Sequence, residues 1–73
     1  MIRFKSINQD GYVCRYSFKN KEEIEKEWYS EECRLPSNDD PVIESSIDGK
    51  RLDIPNNTIF LNFLEMIGID TSL

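Results

Sequence analysis

Two Asp-Gly dipeptides, Asp10-Gly11 and Asp48-Gly49, each sit between stretches in which apolar and polar residues alternate, and each pair of stretches is followed by a segment of helical character. Asp-Gly supplies the positive φ angles that tight hairpin turns require, so the chain divides into ββα twice over. No chain of 73 residues has room for a second core, and residues 1–73 are expected to form one small α+β domain.

Register decides what the first hairpin displays. A two-residue Asp10-Gly11 loop would set Phe4 against Ser17 and mix the faces. A three-residue Gln9-Asp10-Gly11 loop, with Gly11 left-handed, pairs Ile2 with Phe18, Phe4 with Tyr16 and Ser6 with Cys14, which leaves one clean apolar face. The other face then carries Arg3, Lys5, Arg15 and Lys19, with Lys5 opposite Arg15. Four cations on one side of a hairpin suggest a nucleic-acid or anion contact. The ordinary alternative is a solvated face neutralised by the acidic helix that follows. The aromatic rings point the other way, which disfavours base stacking.

Asn20 followed by Glu23 has capping-box spacing and opens an expected helix from Lys21 to Glu32, with Ile24 and Trp28 on its buried stripe and Pro36 beyond its end. From Lys21 to Asp48 there are ten acids and three bases, a net charge of −7, whereas the first twenty residues hold four bases and one acid, a net of +3. Asp39, Asp40 and Glu44 make this acidic stretch a candidate protein-binding surface. They lack the ligand spacing and turn glycine of a calcium loop.

In the second hairpin a two-residue Asp48-Gly49 turn pairs Ile43 with Ile54, Ser45 with Leu52 and Ile47 with Lys50, and these pairs form the expected apolar side. Its other side, with Glu44 facing Asp53, would be the acidic counterpart of the first hairpin's cationic face. Asn56 or Asn57 then serves as N-cap of a helix from Thr58 to Ile67, stopped by Gly68. Ile59, Phe60, Phe63, Leu64 and Ile67 make its core stripe. Leu61 and Met66 fall outside that stripe and are the apolar candidates for a partner or dimer contact. The ending Thr71-Ser72-Leu73 matches the loose form of a strand-adding C-terminal ligand and is taken as a frayed end.

The chain contains no histidine, which removes the usual general base and the commonest metal ligand. Cys14 and Cys33 have no such base to activate them, and the three glycines are used in turns and a helix end rather than in a phosphate loop. No enzyme, cofactor or metal function is therefore expected. Neither a signal peptide nor an apolar run of membrane-spanning length occurs, so a cytoplasmic protein with free thiols is expected. The absence of alanine, together with abundant Ile, Asn, Lys and Glu, suits an AT-rich genome such as that of a low-GC bacterium or its mobile elements.

The expected architecture is ββαββα, with four antiparallel strands in one sheet, or two hairpins, and both helices on one face. Its core would draw on Ile2, Phe4, Tyr16, Phe18, Ile24, Trp28, Ile43, Leu52, Ile54, Ile59, Phe60, Phe63, Leu64 and Ile67. The expected function is a non-catalytic protein-binding module, an inhibitor or regulator of phage or mobile-element type that occupies a partner surface, with a second copy of the chain as one candidate partner. The alternative is a nucleic-acid contact through Arg3, Lys5, Arg15 and Lys19.

Overall fold

The computed structural model describes residues 1–71, so Ser72 and Leu73 of the Thr71-Ser72-Leu73 ending lie outside the described residues. Strands β1 (Ile2–Ile7), β2 (Val13–Phe18), β3 (Val42–Ile47) and β4 (Lys50–Arg51) form a single antiparallel sheet in the order β2-β1-β3-β4. Helix α1 (Lys21–Trp28) connects β2 to β3, and α2 (Phe60–Met66) follows β4. The two hairpins are thus joined into one sheet through β1 and β3. Among the described residues no helix is long and apolar enough to cross a membrane.

The first hairpin has the three-residue register, with Ile2 opposite Phe18, Phe4 opposite Tyr16 and Ser6 opposite Cys14. Gly11 takes φ +85°, a conformation that only glycine adopts without strain. Asn8 organises the loop. Its side-chain oxygen accepts from the amides of Asp10 (3.0 Å) and Tyr12 (2.9 Å), while its own amide donates to the Tyr12 carbonyl. In the second hairpin Asp48 and Gly49 have φ of 52° and 80°, the two positive angles of a type I′ turn, and Ile47 faces Lys50.

Pairing beyond the turn departs from the simple hairpin. β4 is only two residues long, and one further bond, from the Leu52 amide to the Ser45 carbonyl, extends it. Ile43 does not pair with Ile54 in the core. β3 pairs instead with β1 through a bulge, Lys5 opposite Glu44 and Ser6 opposite Val42, and Ile43 is the extra residue. The bulge reverses the phase of the strand's start, so Val42 is buried and Ile43 is 46% exposed. Its cause lies on both sides of β3. The Pro41 carbonyl accepts from the Ile7 amide and the Ser6 hydroxyl, and the Val42 amide donates to the Thr58 carbonyl, so the start of the strand is held in a position that hairpin pairing alone would not select.

Both helices cover the side of the sheet that carries Ile2, Phe4 and Ser6. Phe4 is the centre of the core: its ring lies 5.0 Å from Tyr16, 5.6 Å from Phe60 and 5.1 Å from Phe63, and Trp28 reaches Phe60 from α1. Ile24, Phe60, Phe63 and Leu64 are fully buried, with Ile67 and Ile69 close behind. Tyr16, Phe18, Trp28, Leu52 and Ile54 pack on the margin, as do Leu35 and Ile47. Val42, Leu35 and Ile69 were not among the expected core residues.

α1 begins as its capping signal predicts: the Asn20 side chain accepts from the Glu23 amide at 3.0 Å, and the Glu23 carboxylate turns back to accept from the Lys19 amide at 2.9 Å. It ends at Trp28 rather than continuing to Glu32. Beyond it the Ser30 amide bonds the Glu27 carbonyl, and the Ser30 hydroxyl takes the Glu32 amide, a local bond that competes with helix continuation.

α2 starts at Phe60, two residues later than expected, and neither Asn56 nor Asn57 caps it. Ile59 lies extended and bridges to Pro41. The amides of Phe60 and Leu61 donate to the carbonyls of Asp40 (2.8 Å) and Asn38 (3.2 Å), so the loop before β3 caps the helix through its backbone. At the other end the Ile69 amide bonds the Leu64 carbonyl and the Gly68 amide bonds the Glu65 carbonyl, with Gly68 at φ +87°. This is the Schellman arrangement, and it delivers Ile69 into the core.

Candidate docking face

The sheet has a second face, which neither helix covers. Strand alternation places on it Arg3 and Lys5 from β1, Arg15 and Ser17 from β2, Glu44 and Ser46 from β3, and Arg51 from β4. Because Arg3 is opposite both Ser17 and Ser46, and Ser46 is opposite Arg51, a lateral row Ser17, Arg3, Ser46, Arg51 crosses all four strands. The adjacent row reads Arg15, Lys5, Glu44. Together these residues line a shallow concavity of about 400 Å³. Four cations and one acid make it positive in a chain of net charge −5.

The single acid is committed. Lys5 Nζ lies 3.0 Å from Glu44 Oε2, and that hydrogen bond, reinforced by the charges of Lys5, Arg51 and Arg15, holds the Glu44 carboxyl below its ordinary range. Arg3, Arg15 and Arg51 make no ion pair among the described residues; Arg3 only directs its Nε at the Met1 sulfur, 3.3 Å away. α1 packs Ile24 into the core on the other side of the sheet, so its acids do not face these guanidinium groups. Among the described residues no acid of α1 forms an ion pair with these cations.

Lys19 stands apart from the other three expected cations. It follows the end of β2, outside the concavity, and its amide is bound by the Glu23 carboxylate. Arg51 of the second hairpin, whose outer side was expected to be acidic, joins them instead. Only the pairing of β1 with β3 could bring it there, and no local pattern encodes that pairing.

Apolar groups border the cationic area. Val13 is opposite Ile7 at the end of the first hairpin and is half exposed. The bulged Ile43 lies near Ile7 in a neighbouring depression with Ile54 and Pro55. Phe4, Tyr16 and Phe18 are stacked on the helical side, and Tyr12, 70% exposed, stands in the loop before β2. Burial raises the Tyr16 hydroxyl above its ordinary range, and the neighbouring Cys14 thiol adds to the effect.

The expected protein-binding residues do not converge. Asp40 is buried, and its carboxylate accepts from the Ser37 amide at 3.2 Å, which closes the loop that caps α2. Asp39 is exposed beside it. Leu61 is half-buried, with its amide bonded to that same loop, and Met66 is 48% exposed on α2. Glu44 belongs to the opposite side of the molecule. Cys14 is half-buried and Cys33 exposed, both as free thiols, and among the described residues no cluster of three or more His, Cys, Asp or Glu side chains could hold a metal ion.

Comparison of the chain with protein-family models, with curated proteins and with solved structures finds no match.

Proposed function

We propose that this protein is a non-catalytic binding module that docks the open face of its sheet on an acidic surface of a partner protein. The observation that supports this is the row of Arg3 and Arg51, with Arg15 in the row beside it: three guanidinium groups that form no ion pair among the described residues, on a face that no helix covers. Arginine in this setting favours planar, bidentate recognition of carboxylates. The bordering Ile7, Val13 and Ile43 supply apolar area of the kind protein interfaces use beside such charges. Acting by occupation, the module is an inhibitor or regulator, and an AT-rich phage or mobile element is the source proposed for it.

A nucleic-acid contact through the same cations is the second reading. It is less favoured, because the strand aromatics Phe4, Tyr16 and Phe18 lie on the helical side, away from these cations, and the rest of the chain is acidic. Affinity capture from a low-GC bacterial lysate, with and without nuclease, tests both. The expected result is a specifically retained protein that Arg3→Glu/Arg51→Glu releases and Lys21→Glu/Lys26→Glu, which changes net charge equally on the helical side, does not. Retention indifferent to Arg3 and Arg51, or no retained protein at low salt, removes the protein reading. Retention abolished by nuclease transfers the face to nucleic acid.

A further inference from the structure

β2 is an edge strand of six residues whose register with β1 is unbroken. Among the described residues, nothing other than β1 makes a hydrogen bond to the backbone of Val13–Phe18. Natural sheets blunt such an edge with proline, a bulge, a covering segment or charged side chains, and of these β2 carries only the charge of Arg15, on its open side. Its side chains are unfinished in the same direction. On the helical side Cys14, Tyr16 and Phe18 are each half-buried, whereas their β1 partners Ser6, Phe4 and Ile2 are buried. On the open side the row Glu44, Lys5, Arg15 alternates acid and base up to Lys5 and then ends in a second cation. Directly opposed like charges destabilise a strand pair, and an acid beyond Arg15 would relieve this one.

From this we infer that the β2 edge binds an extended, acidic segment of the partner by strand addition, with one carboxylate opposite Arg15 and apolar residues at the alternate positions covering Cys14, Tyr16 and Phe18. Main-chain bonds to Val13–Phe18 supply affinity, and the alternation of the two faces supplies selectivity. The inference rests on the protein-binding reading and states how the partner would be held. Symmetric pairing of two copies through β2 does not fit the edge, because no acid occurs between Gly11 and Asn20 and no β2-to-β2 register places one opposite Arg15.

The test uses the capped peptide Val-Thr-Val-Glu-Val-Thr-Lys, titrated into the intact protein and followed by amide chemical shifts and hydrogen exchange. Saturable binding with new protection of amides within Val13–Phe18 is the expected result. Replacing the peptide's Glu by Lys should weaken binding about three- to fivefold, the scale of one cross-strand charge pair. Arg15→Glu should reverse that preference, and a peptide N-methylated at alternate amides should not bind. No saturable binding overturns the inference, as does a preference that Arg15→Glu leaves unchanged. Shifts confined to Arg3 and Arg51 without protection of β2 also overturn it, yet leave docking through the open face intact. Protection of Val13–Phe18 that rises with protein concentration in the absence of peptide would assign the edge to a second copy and overturn the acidic partner.

Discussion

Lys5 and Glu44 join the two hairpins electrostatically: they are opposite one another on β1 and β3, with Nζ and Oε2 3.0 Å apart. Glu44 titrates low because Lys5 donates to its charged form. Its folded pKa lies below its unfolded value, so its contribution to stability is complete above the unfolded pKa and is lost as pH falls through the folded one. A carboxyl NMR titration should find Glu44 below the ordinary glutamate range, and Lys5→Met should return it toward that range. An unchanged Glu44 in Lys5→Met would refute the pairing. Glu44→Gln should strengthen binding of polyanions to the open face, since it removes the one acid there.

Phe4 is the aromatic centre of the molecule, touching rings from β2 and α2. Truncation to alanine in such a site costs about 3–5 kcal/mol. Small domains have a total stability on the order of 5 kcal/mol, so Phe4→Ala should leave much of the population unfolded at room temperature by circular dichroism. Phe4→Leu should fold with a lowered melting temperature. A cooperative, wild-type-like transition in Phe4→Ala would contradict the packing.

The bulge makes neighbours in sequence unequal. Val42 is 3% exposed and Ile43 is 46% exposed. Val42→Ala should cost about 1–3 kcal/mol in urea unfolding, whereas Ile43→Thr should change stability by no more than about 0.5 kcal/mol. If the hairpin register were continuous, with Ile43 inside, the order of the two effects would reverse.

Gly68 ends α2 at φ +87°, and a Cβ there would approach Lys21 Nζ to 3.2 Å. The lysine tip can move, so the backbone conformation dominates. Gly68→Ala should destabilise by about 1 kcal/mol, and the β-branched Gly68→Val by more. Chemical denaturation of the two variants beside wild type checks that order.

Features set within a few residues were legible before the structure was known. The two turns, the register of the first hairpin, the Asn20 and Glu23 cap and the Gly68 stop all depend on neighbours close in sequence. Three of the four open-face cations, Arg3, Lys5 and Arg15, were legible for the same reason, because strand alternation alone puts them on one side. Asn8, which ties the first loop together, could have been noticed, since asparagine before a turn commonly bonds the amides that follow it.

What the sequence by itself determined about this protein is therefore the local conformation, the two hairpins and the cationic face of the first. Only the tertiary structure decided that β1 pairs with β3, that the bulge expels Ile43 and buries Val42, and that the Asn38 and Asp40 carbonyls rather than an asparagine side chain cap α2. Each of these joins segments distant along the chain. Their geometry follows from backbone groups competing for partners and from the need to cover Phe4, which no window of neighbouring residues specifies. That same long-range pairing brings Arg51 beside Arg3 and leaves β2 at the edge.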